Sequence, residues 1–215
     1  MPARRVCAFI DGFNFYHAVK DLGANHLKWV DLWSLCQKFA PEPDNELIRV
    51  YYFSAYATWM LDSYRRHVEF VKANRARGVT DILGRFKQKS LTCKLCGREY
   101  PSHEEKESDV NLALHLFRSA AHDEYDRALL VTRDSDILPS VRLVRSEYPD
   151  KDIRLLAPPG KEYNMALVEA AGGLDHARRI KASHLEQSLL PQQVLDAEGR
   201  LAATRPLAYD PPPRT

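Results

Sequence analysis

The sequence of 215 residues predicts an α/β fold, a three-layer sandwich in which helices cover both faces of a central, mainly parallel sheet. Three observations support this prediction. Short apolar runs rich in β-branched and aromatic residues alternate with segments of helical period. Two of these runs, 5–10 and 127–132, are aliphatic enough to lie at the centre of a sheet, and aspartate follows each of them. No internal repeat is visible, so one continuous core is expected.

The first elements follow from composition and from end signals. They are a short buried strand (5–10), a helix closed by Gly23 (12–23), a helix stopped by Pro41 (31–40), a strand rich in β-branched and aromatic residues (47–56) and a long helix with a basic end (59–77). The strand 79–86 then leads to an excursion over residues 88–104 that carries a Cys pair.

The second half of the chain repeats the alternation of helix and strand. Its elements are a helix (109–122), an aliphatic strand (127–132), a helix with Pro139 in its first turn (137–148), a strand (152–158) and a short helix (164–173). In the helix 109–122, an apolar stripe of Val110, Ala113, Leu114 and Phe117 is expected to face the sheet.

The chain is predicted to form one domain over residues 1–190 and a tail over 191–215. The domain carries the Cys-pair hairpin near 88–104 as an insertion. The signal for regular structure fades after about residue 190, and three consecutive prolines near the end of the chain cannot pack as helix or strand. We therefore expect the tail to be flexible.

Composition excludes several classes of protein but does not identify a partner. Hydrophobic residues make up 45% and charged residues 28%, as in an ordinary globular domain, and the net charge is only +2. No apolar segment approaches the roughly 18 residues of a membrane span, and the apolar stretch before Asp11 is too short for a signal peptide. We expect a cytoplasmic protein in which Cys7 and Cys36 are buried and reduced. A free sheet edge or the last helix could mediate a homodimer.

Aspartates follow the two aliphatic strands. Asp11 comes directly after the first, and Asp134 and Asp136 follow the second. In an open parallel sheet, ligands bind beyond the carboxyl ends of the strands. If the two strands are neighbours, Asp11 and Asp134 converge, and their repulsion raises one pKa unless a cation intervenes. Carboxylate oxygens suit Mg²⁺ or Mn²⁺, so the sequence predicts a site for one of these ions.

Helix capping is the competing explanation for these acids. An aspartate at a strand end often caps the following helix, and both Asp11 and Asn14 fit a capping role. Because one cap serves one helix, capping does not explain Asp134 and Asp136 together. Asp109 opens a helix, where the macrodipole stabilises a negative charge, so its position alone does not indicate a function.

Three motifs occur together in an order known from one protein family. They are FIDGFNFYH (9–17), EKESDVNLALHL (105–116) and LLVTRDSDILPSVRLV (129–144). With the elements between them, roughly residues 5–175 resemble the NYN family of the PIN-like nuclease superfamily. The resemblance implies a PIN-like, Rossmann-like fold and metal-dependent hydrolysis of RNA phosphodiester bonds, as by an endoribonuclease.

The resemblance also implies roles for individual residues. The acids expected to be catalytic and to bind Mg²⁺ or Mn²⁺ are Asp11, Asp109, Asp134 and Asp136. The neighbouring residues expected to contact RNA are Asn14, Lys106 and Arg133. The sequence departs from the family pattern at Glu107, where a small residue is more usual.

A basic stretch could supply the positive charge that an RNA ligand requires. Between Lys72 and Arg98 the basic residues greatly outnumber the acids, of which Asp81 is the one example. Such a stretch can track a phosphate backbone, and it can equally be a solvated helix end followed by a basic hairpin. The hairpin residues expected to contact RNA are Arg85, Lys87 and Lys89.

The excursion contains a C-x-x-C-G turn, which is the form of a zinc knuckle. Cys93 and Cys96 would supply two of the four ligands that Zn²⁺ requires, and His103 is the third candidate. A fourth ligand would have to come from His67, from elsewhere in the chain or from another molecule. The alternatives to a structural zinc site are a redox pair or two free thiols in a tight turn.

Two other functions compete with a nuclease. A non-catalytic RNA-binding module on the same fold would use the basic stretch but not the acids. A phosphatase of the haloacid-dehalogenase type is suggested by the D-x-D of residues 134–136. In that class, however, a D-x-D motif directly follows the first strand, whereas here Asp11 is followed by Gly12 and Phe13.

Overall fold

A computed structural model describes residues 2–213 of the chain. The strands in this part of the chain are β1 (Arg4–Asp11), β2 (Asn45–Ser54), β3 (Thr80–Leu83), β4 (Arg85–Thr92), β5 (Glu99–Lys106), β6 (Arg127–Val131), β7 (Asp152–Ala157), β8 (Ala177–Arg179), β9 (Gln193–Leu195) and β10 (Leu201–Thr204). The α-helices are α1 (Gly12–Asp21), α2 (Leu32–Gln37), α3 (Leu61–Ala76), α4 (Ser108–Ala121), α5 (Leu138–Glu147), α6 (Met165–Ala171) and α7 (Ala182–Glu186). None of these helices combines the length and the apolar composition that crossing a bilayer requires.

Six strands form the central sheet in the order β3-β2-β1-β6-β7-β8, and every pair of neighbours is parallel. The chain moves outward from β1 to β3 and then crosses to the other side of β1, where it adds β6, β7 and β8. The strand order therefore reverses between β1 and β6, and the carboxyl ends at such a switch point flank a crevice. The predicted α/β fold with a parallel sheet is confirmed.

Alternate residues of β1 face two separate hydrophobic cores. Val6, Ala8 and Ile10 are buried in the core beneath α1, α2 and α3. Cys7 and Phe9 are buried on the opposite face, in the core that α4, α5 and α6 cover. A strand buried on both faces is an uninterrupted apolar run because side chains alternate between the two faces, and this is why the sequence 5–10 shows no polar alternation.

The predicted excursion is an antiparallel hairpin of β4 and β5 that stands apart from the central sheet. It begins after Gly84, which ends the strand predicted over 79–86: a side chain at Gly84 would lie 2.5 Å from the carbonyl oxygen of Lys106. The base of the hairpin packs on α1, where the rings of Phe13 and Phe86 meet edge to face at 5.6 Å.

The buried face of α4 differs from the predicted stripe. Val110 and Leu114 are 61% and 60% exposed, whereas Leu112 and Leu116 are completely buried against the sheet. The sequence of α4 has apolar residues around most of its circumference, so its period alone does not select a face. On the buried face, small residues such as Ala120 allow the helix to lie close to the strands.

The flexible tail predicted for residues 191–215 is wrong for most of its length. Residues 193–204 form the hairpin of β9 and β10 against α3, and the backbone N–H of Thr204 donates to Oε2 of Glu69 on that helix at 3.1 Å. Val194, Ala203 and Tyr209 are buried in the core beneath α3. The segment is held in place because these side chains are buried, although its sequence has few signals for regular secondary structure.

Val194→Ala is expected to lower the free energy of unfolding by about 1–3 kcal/mol, because it removes buried methyl groups and leaves a cavity. Leu195→Ala is the matched control, since the neighbouring side chain is 52% exposed and its removal should cost less than about 0.5 kcal/mol. Chemical denaturation of both variants measures the difference. Equal, negligible effects would show that the C-terminal hairpin is not packed on the domain.

Candidate active site

Asp11 lies where β1 passes into α1, and both of its carboxylate oxygens accept hydrogen bonds. Oδ1 accepts from the backbone N–H of Asn14 at 3.0 Å, which is a helix cap. Oδ2 accepts from the hydroxyl group of Thr132 at 2.8 Å, directly after β6. The capping role considered for Asp11 therefore exists, and a second bond in addition ties the carboxylate to the neighbouring strand.

Asp134 is held in the loop that follows β6. Its Oδ1 accepts from the backbone N–H of Asp136 at 2.9 Å and so caps a short 3₁₀ turn over Ser135–Ile137. Its own N–H donates to the Thr132 hydroxyl oxygen at 3.0 Å. Because Thr132 bonds to both Asp11 and Asp134, it fixes the two acids relative to each other. The side chain of Asp136 is exposed and is not needed for this cap.

The acids from three separate parts of the chain act on one another electrostatically. The pKa of Asp109, at the start of α4, is raised to about 6, first by burial and then by the charges of Asp11, Asp134, Glu105 and Asp136. Burial also raises the pKa of Asp11, with a further contribution from Asp134, although hydrogen bonds from Asn14 and Thr132 oppose the rise. Hydrogen bonds through Thr132 connect Asp11 to Asp134, and a further hydrogen bond connects Asp134 to Asp136, while Asp109 and Glu105 are connected to them by electrostatic interaction alone. These five acidic residues are called the acidic cluster below.

This acidic cluster has the chemistry of a site for a hard divalent cation, but it is not a closed cage. Within residues 2–213, no three side chains of His, Cys, Asp or Glu are grouped so that together they could hold a metal ion. Mg²⁺ and Mn²⁺ commonly bind through one or two carboxylates and keep several water molecules, so they do not require such a cage. The raised pKa values of Asp11 and Asp109 reflect burial and mutual repulsion, the second of which a cation would relieve.

Asp109→Asn is expected to change how stability depends on pH in the presence of EDTA. The folded state raises the pKa of Asp109 from 3.8 to about 6, so the protonated form is favoured and the wild type loses stability as the pH rises through that interval. The side chain of the variant cannot ionise. Above the raised pKa, its free energy of unfolding should therefore exceed that of the wild type by about 1 kcal/mol, after allowance for solvent screening of this half-buried group. Thermal unfolding of both proteins at several pH values across this interval tests the expectation. If the melting temperatures of the two proteins depend on pH in the same way, the pKa of Asp109 is not raised by burial and by the neighbouring acids.

The start of α4 is strained at Glu107, where the sequence departs from the family pattern. Its φ of 85° lies in the left-handed region, which glycine adopts at lower energetic cost than glutamate. An ion pair between Oε1 of Glu107 and Nε of Arg85, at 2.6 Å, accompanies this conformation. The adjacent N–H of Ser108 donates to Oε1 of Glu105 at 3.0 Å.

The residues predicted to contact RNA divide into two groups. Asn14 and Arg133 lie inside the site, where the N–H of Arg133 donates to Oδ1 of Asn14 at 3.3 Å. On the hairpin, Arg85 pairs with Glu107, and Lys89 and Lys106 both pair with Glu104. Lys87 lies opposite Glu104 in the strand register. The acidic strand β5 thus offsets part of the positive charge that the sequence of β4 suggests.

The zinc site considered for Cys93, Cys96 and His103 is not formed in the described part of the chain. The two cysteines lie in the turn between β4 and β5, where N–H groups of Cys96 and Leu95 lower the pKa of Cys93. His103 lies further down β5, paired in register with Gln88, and its ring stacks on that of Trp59 with centroids 3.6 Å apart. Strand geometry separates His103 from the turn by about 13 Å, which no zinc–ligand bond can span.

Thr132 and Asn164 belong to the site but are not identified from the sequence. The sequence places Thr132 only at the end of a strand, yet it bridges Asp11 and Asp134. Asn164 donates from Nδ2 to the carbonyl oxygen of Arg133 at 2.9 Å and also caps α6. A polar residue at a strand end beside an aspartate is a signal that could identify Thr132, whereas the contact of Asn164 depends on the packing of distant loops.

An aromatic pocket adjoins the acidic cluster. It lies between α1, α3 and the base of the β4–β5 hairpin, and its volume is about 530 Å³. Gly12, which follows Asp11, and Glu105, which acts on Asp109, both line it. The arrangement therefore combines a group of acids at the carboxyl ends of β1 and β6 with a cavity suited to planar rings.

Known proteins similar to this chain include a sequence of named activity and a solved structure. The sequence is 27% identical to 6-hydroxy-3-succinoylpyridine 3-monooxygenase of Pseudomonas putida, in an alignment that covers 95% of this chain and 75% of that protein. The crystal structure of a protein of unknown function from Vibrio parahaemolyticus superposes with a TM-score of 0.56 at 16% identity, over 87% of this chain and 97% of that one. The second likeness shows that the fold is shared.

The three motifs of the sequence analysis lie where they adjoin one another in the fold. FIDGFNFYH joins β1 to α1, EKESDVNLALHL joins β5 to α4, and LLVTRDSDILPSVRLV joins β6 to α5. The family model described as NYN domain matches residues 5–173, which is most of the chain. This match, together with the fold, shows that the chain belongs to the NYN domain family.

Proposed function

We propose that this protein is a metal-dependent endoribonuclease that hydrolyses phosphodiester bonds of RNA at the acidic cluster. Family membership supports a nuclease-like fold and an RNA substrate. The observation that supports the reaction most directly is geometric: the Thr132 hydroxyl group donates to Oδ2 of Asp11 at 2.8 Å and accepts the backbone N–H of Asp134 at 3.0 Å. This contact supports a shared site for acids more than a hundred residues apart in sequence, at the switch point where parallel sheets bind ligands.

Asp11, Asp109, Asp134 and Asp136 would hold Mg²⁺ or Mn²⁺. The chemistry that such an ion supplies when bound is a water molecule of lowered pKa and neutralisation of charge on the leaving oxygen. The chain itself contributes orientation: Thr132 and Asn14 fix the carboxylate of Asp11 by hydrogen bonds. Lys106, at the end of β5, would contact a phosphate group of the RNA in exchange for its ion pair with Glu104.

The test is incubation of the purified protein with RNA in the presence of Mg²⁺, of Mn²⁺ and of EDTA. Circular single-stranded RNA is the decisive substrate, because it has no end and is cut only by internal hydrolysis. We expect cleavage with Mn²⁺ or Mg²⁺ and none with EDTA. Binding of RNA in EDTA without cleavage in either metal would refute the nuclease and would favour a non-catalytic RNA-binding module.

A second candidate function is oxygenation of a small aromatic heterocycle. The related Pseudomonas putida protein is named as a monooxygenase of a hydroxypyridine, and the aromatic pocket beside the acids could accept such a ring. The reaction would place one atom of dioxygen on the ring and reduce the other to water with two electrons from a reduced nicotinamide. Consumption of dioxygen and reduced nicotinamide that depends on a hydroxypyridine would favour this candidate.

A further inference from the structure

The aromatic pocket is lined by rings from four different parts of the chain. Its walls include Tyr16, Tyr52, Trp59, Phe86, His103 and Tyr209. Tyr209 lies beyond residue 173, where the family match ends, and belongs to the C-terminal segment that packs beside α3. The pocket is thus a property of this whole chain rather than of the matched region alone.

Trp59 lines the pocket, and two neighbouring rings orient its indole. The rings of Trp59 and His103 are stacked, with an interplanar angle of 8°. The ring of Phe86 meets Trp59 edge to face at a centroid distance of 4.7 Å. Trp59 nevertheless remains 41% exposed, so an ordered indole offers aromatic surface to a ligand. Ordered aromatic rings of this kind stack on nucleobases without selecting a sequence.

The interior of the pocket is neutral but offers hydrogen-bonding groups. Burial lowers the pKa of His67 to about 4, so its imidazole is uncharged at neutral pH. The hydroxyl oxygens of Tyr52 and Ser54 both lie 3.4 Å from Nε2 of His67. A planar ring with polar edges could therefore exchange hydrogen bonds here without burying a charge.

Charged side chains of both signs contribute to the lining of the pocket. Lys20 and Lys28 contribute to its lining, and burial together with the charges of Lys20 and Arg66 lowers the pKa of Lys28. The negative charge is that of Glu105, which also acts on Asp109. A nucleotide matches this arrangement, because its base is a planar ring and its phosphates are anions that lysines attract.

We propose that the aromatic pocket receives one unpaired base of the RNA that is cut at the acidic cluster, so that single-stranded RNA is the preferred substrate. This inference rests on the proposed function. A base within a duplex is already stacked and paired, and its entry into the pocket would require the cost of flipping it out of the helix. Unpaired RNA avoids that cost and gains the stacking on Trp59.

The test compares RNA binding by the wild type, Trp59→Ala and Trp59→Phe in EDTA, where cleavage does not interfere. A fluorescent single-stranded oligonucleotide should bind Trp59→Ala at least about tenfold more weakly, as expected for loss of one stacked base, whereas Trp59→Phe should keep most of the affinity. Binding of a duplex should not change. Tyr100→Ala is the matched control, because Tyr100 is an exposed aromatic residue of the β4–β5 hairpin that does not line this pocket.

Equal binding by Trp59→Ala and the wild type, or equal losses in Trp59→Ala and Tyr100→Ala, would overturn the inference while leaving metal-dependent cleavage intact. Absence of cleavage by the wild type would instead overturn the proposed function. A third arm titrates the protein with a hydroxypyridine and with a nucleoside monophosphate. If the hydroxypyridine binds in a Trp59-dependent manner and neither the nucleotide nor RNA does, the pocket serves a small heterocycle and the inference fails.

Discussion

Asp11→Asn is expected to reduce metal-dependent cleavage of RNA by about a thousandfold, which corresponds to a loss of roughly 4 kcal/mol of transition-state stabilisation. Asn lacks the negative charge that a hard cation requires, and Asp11 is the one acid of the cluster that is almost completely buried, at 3% exposure. If this carboxylate is lost as a metal ligand, a water molecule can take its place less easily than at the more exposed acids. Asp134→Asn should have a loss of similar size, because Asp134 acts on both Asp11 and Asp109.

The fold should survive the Asp11→Asn substitution. The side-chain oxygen of Asn can still accept the N–H of residue 14 and keep the cap on α1. The new amide group would face the hydroxyl of Thr132, which can rotate to accept a hydrogen bond. Burial raises the pKa of Asp11, so removing its charge relieves a cost of folding at neutral pH.

Initial rates of cleavage with Mn²⁺, together with thermal unfolding curves, measure both expectations at once. Asp150→Asn is the control, because it makes the same chemical change on an exposed turn between α5 and β7, away from the acidic cluster. It should cleave at the rate of the wild type. Undiminished cleavage by Asp11→Asn and Asp134→Asn would remove the acidic cluster from the reaction.

The central position of β1 and β6 could be predicted from local signals, whereas their direct pairing is only a condition, which the structure meets. After their basic first residues both strands are apolar, which indicates burial on both faces, and parallel strands place their carboxyl ends at one edge of the sheet. The sequence therefore supports the convergence of Asp11 and Asp134 only on the condition that the two strands are neighbours. The position of Asp109 could not be derived in this way, because it depends on which face of α4 packs on the sheet.

The predictions that proved wrong all depend on long-range packing. Nothing in the sequence of α4 distinguishes the exposed Leu114 from the buried Leu116, since both fit a helical stripe. The hydrophobic residues of the C-terminal segment are few, and their burial depends on a groove beside α3 that only the folded domain provides. His103 follows Cys96 closely in sequence, but extended β geometry carries it away from the turn.

Gly12→Ala is expected to destabilise the domain by about 3 kcal/mol, at the upper end of the range for an overpacked site. A Cβ atom at residue 12 would lie 2.5 Å from the carbonyl oxygen of Phe53 and 2.8 Å from the ring of Tyr52. The carbonyl belongs to β2, which pairs with β1 and β3 on either side, so it cannot move away without breaking the sheet. The same shift would displace Asp11 from Thr132.

The sign of this effect is informative because intrinsic propensity predicts the opposite. Gly12 is the first residue of α1 and has no left-handed φ, so Ala by itself would favour the helix by up to about 1 kcal/mol. Gly23→Ala is the contrasting variant, because φ at Gly23 is +73°. Apart from Gly23 and its two chain neighbours, no atom of the described residues lies within 4 Å of the new Cβ. This variant therefore isolates a backbone cost of about 1 kcal/mol. Thermal unfolding should place Gly12→Ala about 6–12 °C below the wild type and well below Gly23→Ala. A melting temperature for Gly12→Ala above that of the wild type would mean that β1, β2 and α1 do not approach one another as closely as the acidic cluster requires.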